Sequence, residues 1–213
     1  GAFANKVPFY GSVFLCLDDA NAAAVRPRLK RRVCTYGTHP QVDIRARDIR
    51  QEGFRTHFKV TAQGADLGAF SLGVPGHHMV LNALAAIGIA LELDVEPDVI
   101  RASLSSFTGA DRRFHLKGER GGVLVVDDYG HHPTEIAATL AAARAGFPER
   151  RLVAAFQPHR YSRTKALLEE FGTAFFEADS VLVTDIYPAG EQPLQGVDGA
   201  AVVEALRSHG QKE

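Results

Sequence analysis

Three polar tracts hold the side chains that could do chemistry. Asp127-Asp128-Tyr129-Gly130-His131-His132 follows the apolar run Val123-Leu124-Val125-Val126. Gln157-Pro158-His159-Arg160-Tyr161-Ser162-Arg163 follows Leu152-Val153-Ala154-Ala155-Phe156. Asp185, Tyr187 and Gly190-Glu191 follow Ser180-Val181-Leu182-Val183-Thr184. Each apolar run reads as a strand, and in open α/β sheets ligands bind outside the carboxyl ends of the strands. The spacing therefore predicts that all three tracts line one rim of one sheet, where Asp, His, Arg and Tyr converge on an anionic, hydrogen-bonding ligand.

Each motif also has a plainer reading. Asp127-Asp128 could be loop and capping residues. His131-His132 could be a zinc pair, but adjacent histidines point apart on any regular backbone and no Cys or HExxH accompanies them. Arg160 and Arg163 stand at a helix start, where cations oppose the macrodipole. That placement calls for an anionic ligand or a paired carboxylate, and the ligand is the favoured reading. Asn82 could be a satisfied core amide, and Arg112-Arg113 a surface basic pair.

The elements that position these tracts fall into two stretches. Ser12–Leu17 reads as a strand, Asp19 to about Val25 as a helix ended by Pro27, and Arg32–Tyr36 as a second strand. Val42 to Leu72 holds short β-favouring stretches separated by Gly turns, which suggests antiparallel strands. Met79 to Leu93 is a helix apolar on nearly every side, a pattern that predicts burial all round. Pro97 opens a second helix, and Phe107-Thr108-Gly109 marks a junction. Beyond it strands alternate with helices. One starts at Pro133-Thr134-Glu135, one is capped by Ser162 or Thr164 and runs through Phe175, and the last holds Val202, Val203 and Leu206. This alternation predicts a parallel sheet covered on both faces.

Composition excludes several classes. The 213 residues carry 24 Lys+Arg against 25 Asp+Glu, so no basic excess argues for nucleic acid. No apolar run reaches the roughly 18–20 residues that span a bilayer. The start has neither an initiator Met nor the basic region of a signal peptide, so the chain is expected to begin inside a longer cytoplasmic protein. Cys16 and Cys34 form no CxxC pair. No GxxxxGK[ST] phosphate loop, GxGxxG fingerprint or GxSxG elbow occurs. On the residues alone, the reading stops at an α/β ligand-binding domain with an anion site.

Five ordered motifs go further. They are Pro75-Gly76-His77-His78-Met79-Val80-Leu81-Asn82, Phe107-Thr108-Gly109-Ala110-Asp111-Arg112-Arg113-Phe114, Asp127 to Glu135, Phe156 to Thr164, and Asp185 to Glu191. Together they resemble the Mur ligases, and the later ones are similar to the branch that joins L-alanine to UDP-N-acetylmuramate. The resemblance implies a fold: residues 1–106 as the latter part of a mixed-sheet central ATP-binding domain without its phosphate loop, and 107–213 as a Rossmann-like C-terminal domain truncated at its end. It implies an ATP-dependent amide ligase of peptidoglycan synthesis working through an acyl phosphate, with ATP and Mg2+ as cofactors. The metal ligands and the N-terminal part of the same enzyme are expected outside this chain, so the chain alone is not expected to catalyse. The resemblance also implies roles. Asn82 would pair with adenine, Asp128 with the ribose hydroxyls, and Arg113 with the γ-phosphate. Tyr129, His131, Arg160 and Arg163 would hold the alanine carboxylate and the acyl phosphate, which makes Arg113 and His131 the catalytic pair. Met79 stands where the family often has Asn, so only Asn82 is carried over. Two rivals remain: the recycling ligase that adds a whole tripeptide, against which the tract Gln157 to Thr164 argues, and a non-catalytic nucleotide-binding module.

Overall fold

The apolar run Ser12–Cys16 is strand β1 in the computed structural model, which describes residues 2–211. Asp19 caps the helix that follows, α1 (Ala20–Val25), by accepting the Ala22 amide at 2.6 Å. Next come β2 (Arg32–Gly37), β3 (Ile44–Glu52), β4 (Arg55–Ala62) and β5 (Ala65–Leu72), then α2 (His77–Glu92) and α3 (Pro97–Ser106). The five strands form one sheet in chain order. β1, β2 and β3 run parallel, and β3, β4 and β5 antiparallel. Gln63 and Gly64, both at positive φ, make the tight β4–β5 turn. Phe58, Val60, Phe70 and Leu72 on the sheet pack with Val80, Leu84 and Ile87 of α2.

The expected all-round burial of α2 does not hold. Asn82, Ala86, Ile89 and Leu93 form an exposed stripe, with Leu93 70% accessible. Only the opposite face, with Val80, Leu84 and Ile87, is in the core. The exposed stripe begins at a polar amide and includes a small alanine, so the helix tolerates one open side.

The second unit, after Thr108, has its own core. It contains β6 (His115–Arg120), β7 (Val123–Asp127), α4 (Pro133–Gly146), β8 (Val153–Phe156), α5 (Tyr161–Ala166), α6 (Leu168–Thr173), β9 (Ser180–Val183) and α7 (Gly199–Ser208). The architecture is mixed α/β, as the sequence predicts, with a mixed sheet in the first unit and a parallel strand pair in the second. Three details differ from expectation. First, the strands do not form a single ladder. β7 pairs antiparallel with β6 through the Gly121-Gly122 turn, whereas β8 pairs in parallel with β9. A cavity of about 250 Å3, lined by Leu124, Val126, Ile136, Leu140 and Val153, lies beside both β7 and β8. Second, only one strand face is covered. Phe156, Val181 and Val183 pack with Phe171, Phe175 and Val202, while Val123, Val125, Val153 and Leu182 are exposed. Strand alternation sends every second side chain away from the helices. Third, the helix expected through Phe175 is broken at Leu167 into α5 and α6. No helix among the described residues is long and apolar enough to cross a membrane.

Candidate functional site

Asp128, at the end of β7, organises the first tract. Its Oδ2 accepts the Phe114 amide at 2.8 Å and its Oδ1 the Gly130 amide at 2.7 Å. A Cβ at Gly130 would lie 2.9 Å from the same Oδ1, so a larger residue there would displace the Asp128 carboxylate from these bonds. The Tyr129 amide donates to the Arg112 carbonyl at 2.7 Å. These bonds hold Arg112 and Phe114 at φ 58° and 48°, a left-handed conformation costing non-glycine residues about 1–3 kcal/mol each. Between them Arg113 is displayed outward, its Nη1 3.7 Å from Glu135 Oε1. The Arg112 guanidinium lies over the Tyr129 ring, 4.5 Å from its centroid.

The two histidines of the tract separate. His132 caps α4, its Nδ1 accepting the Thr134 amide at 3.3 Å. Glu135 completes the box by accepting the amides of His131 at 3.1 Å and His132 at 3.2 Å. Burial raises the Glu135 pKa, but those two amides and the charges of His131 and Arg113 outweigh it and hold the carboxyl below its ordinary range. His131 Nδ1 lies 3.0 Å from the Tyr129 carbonyl, which can only accept, so Nδ1 carries the proton of this bond.

The three tracts converge, though their strands belong to two ladders. The His131 and His159 rings lie 6.1 Å apart, and His159 stacks on Tyr187 at 5.4 Å. Asp128, Tyr129, His131, Gln157, His159 and Tyr187 line one cavity of about 440 Å3. The Arg163 guanidinium approaches His159 Nδ1 at 3.5 Å. Burial first, then the Arg163 and Arg160 charges, push the His159 pKa below 6.5. His159 is therefore neutral near pH 7, and with Nδ1 facing a guanidinium that can only donate, Nε2 carries the proton.

Arg160 sits at φ 72°. Its amide donates to the Tyr187 carbonyl at 2.8 Å, and its carbonyl accepts the Thr164 amide at 3.1 Å and hydroxyl at 2.8 Å. The expected Ser162 or Thr164 cap is therefore not formed. Thr164 turns back to Arg160, and the Ser162 amide and hydroxyl donate to Glu191 at 2.9 and 2.6 Å. Of the predicted site residues, Asp128, Tyr129 and His131 line the cavity, and Arg163 reaches it through His159. Arg160 adjoins His159, and Arg113 adjoins the first tract through Glu135. Asn82 belongs to the other unit, on the open stripe of α2, its Nδ2 3.7 Å from the Met79 sulfur. Glu135 and Glu191 lie in tracts that the sequence marks out, but reasoning from sequence gave neither a role. The capping-box spacing after His132 is a visible signal for the first, whereas nothing in the spacing of the third tract ties Glu191 to Ser162. No group of three or more His, Cys, Asp or Glu among the described residues is arranged to hold a metal ion.

Residues 1–90 match the Mur ligase middle domain, and residues 112–213 match the Mur ligase glutamate ligase domain. The chain belongs to the Mur ligase family. Among curated Mur ligases, the UDP-N-acetylmuramate–L-alanine ligase of Geobacter sp. (strain M21) is 56% identical over 99% of this chain and 46% of its own length. The enzyme of that name from Salinibacter ruber is 50% identical over 99% of this chain and 44% of its own. The crystal structure of the UDP-N-acetylmuramate–alanine ligase of Thermotoga maritima superimposes with a TM-score of 0.70 at 29% identity, covering 84% of this chain and 38% of that one. The chain thus spans a little under half the length of the curated Mur ligases it matches.

Proposed function

We propose that this chain is part of a ligase that joins L-alanine to UDP-N-acetylmuramate at the expense of ATP, in the cytoplasmic stage of peptidoglycan synthesis. The observation that carries the reading is the cavity where His131 and His159 face each other, lined also by Arg112, with Arg163 reaching His159 from outside the lining and the Arg160 charge acting on His159. It suits a small ligand with a carboxylate at one end. A planar guanidinium pairs with a carboxylate through two parallel bonds, which an ammonium cannot do.

When bound, ATP would supply the phosphoryl group that activates the muramate carboxylate as an acyl phosphate; the alanine amine attacks the acyl carbon, the amide bond forms and inorganic phosphate leaves. The residues present fit that chemistry. Asp128 spends one bond per oxygen on backbone amides and, since a carboxylate offers about four acceptor sites, keeps capacity for ribose hydroxyls. Arg113, displayed by its strained neighbours, is the cation for the γ-phosphate, and transfers of this type are promoted mainly by positioned charge. Tyr129, His131, Arg160 and Arg163 hold the alanine and the acyl phosphate. A neutral His159 donates from Nε2 without adding a charge. Asn82 is the adenine partner in the first unit. We assign no residue of this chain to the Mg2+ that accompanies ATP.

The test is a ligation assay with a ligase of full family length containing this sequence. L-alanine should be joined to UDP-N-acetylmuramate with release of ADP, and a tripeptide should be a poor acceptor. Preference for the tripeptide would reassign the enzyme to wall recycling. ATP binding without ligation of either would make it a nucleotide-binding module.

A further inference from the structure

α5 and its N-cap position carry the two arginines of the second tract, yet the helix is a poor support by itself. It has six residues, and Arg160 at its N-cap position makes no side-chain capping bond. Short helices are marginal without outside contacts, and Arg160 at φ 72° adds strain. The missing cap comes from a residue remote in sequence. Glu191, after β9, accepts the Ser162 hydroxyl at 2.6 Å on Oε1 and the Ser162 amide at 2.9 Å on Oε2. Ser162 lies between Arg160 and Arg163, so both of its bonds act on the turn that aims them. The same loop is fastened twice more: the Arg160 amide donates to the Tyr187 carbonyl, and the Tyr187 amide to the Pro158 carbonyl, each at 2.8 Å. With its oxygens turned to Ser162, the Glu191 carboxylate offsets the macrodipole at a helix start that otherwise holds only cations.

We propose that Glu191 is a positioning residue for the amino-acid substrate: through Ser162 it fixes the first turn of α5, and thereby the direction in which Arg160 and Arg163 meet the substrate carboxylate. The proposal rests on the reading of the cavity as the alanine site. Glu191 touches no reacting group, so its loss should act on amino-acid binding and leave nucleotide binding alone.

The experiment is steady-state kinetics on the full-length ligase with Glu191→Ala, Glu191→Gln, Ser162→Ala and Arg163→Ala. Glu191→Ala should raise the KM for L-alanine about tenfold, the scale of a lost charge-assisted hydrogen bond, with the KM for ATP unchanged. Glu191→Gln keeps an acceptor and should recover part of the loss. Ser162→Ala keeps the amide bond and should show a smaller rise, which serves if Glu191→Ala does not fold. A purely structural role would lower the melting temperature and kcat without moving the alanine KM. Folded Glu191→Ala and Ser162→Ala proteins whose alanine KM stays within about twofold of the parent would overturn the proposal. If Arg163→Ala alone raises that KM, the cavity reading stands and the role of Glu191 falls. If Arg163→Ala also leaves it unchanged, both fall.

Discussion

His159 is held uncharged by burial and by the two arginines that follow it in the chain. Its folded pKa lies below the unfolded value of 6.5, so the folded state resists protonation and loses relative stability as pH falls through 6.5 towards that lower value. Above 6.5 the group contributes nothing to the pH dependence. Replacing Arg163 by Ala removes one cause of the shift but not the burial. The His159 titration, followed by NMR of the ring protons, should move upward towards 6.5 without reaching it. A titration that stays in place would mean that Arg163 does not sense His159, contrary to the 3.5 Å approach. His131 and His132 illustrate what residue types alone leave open. Their adjacency showed that they diverge, but which ring would enter the cavity and which would cap α4 depended on the Pro133 start and on Glu135, three residues past the cap.

At the scale of elements, Glu135 ties the first tract to α4. It accepts two backbone amides and lies 3.7 Å from Arg113. Its folded pKa is depressed, so its stabilising contribution is present above the unfolded value of 4.5 and is lost as pH falls through the folded pKa. Glu135→Ala should destabilise the second unit by about 1–2 kcal/mol, the usual loss for an N-terminal capping interaction, and flatten its acid denaturation below pH 4.5. Urea unfolding at pH 7 and pH 4 measures both effects, and equal losses at the two pH values would contradict the assignment. The elements themselves were largely legible. The cap at Asp19, the Gly-separated antiparallel strands and the Pro133 helix start are local signals, and the structure contains each of them. Strand β6 was not legible, because Leu116 is the only strongly apolar residue in His115–Arg120. The Gly121-Gly122 pair that turns it into β7 was the available clue. Ladder membership was also beyond the sequence: Val-rich runs announce strands, not which edges pair.

At the scale of the whole chain, two separate apolar clusters underlie two units. Ile87 is fully buried in the first and Phe175 almost fully in the second. Ile87→Ala should cost about 2–5 kcal/mol and Phe175→Ala about 3–5 kcal/mol, from lost burial plus the cavity left behind. Each loss should appear as faster hydrogen exchange confined to the unit that carries the substitution. Exchange that accelerates equally in both would show a single cooperative core.

The central claim is that the tracts after β7, β8 and β9 form one amino-acid site. The most direct measurement is the dependence of ligation rate on L-alanine concentration, at saturating ATP and UDP-N-acetylmuramate, for the full-length ligase and its Arg163→Ala variant. The account predicts an alanine requirement raised at least about tenfold, since a hydrogen bond to a charged group contributes about 1.5–3 kcal/mol, with the ATP requirement unchanged. An alanine requirement equal to that of the parent would contradict it.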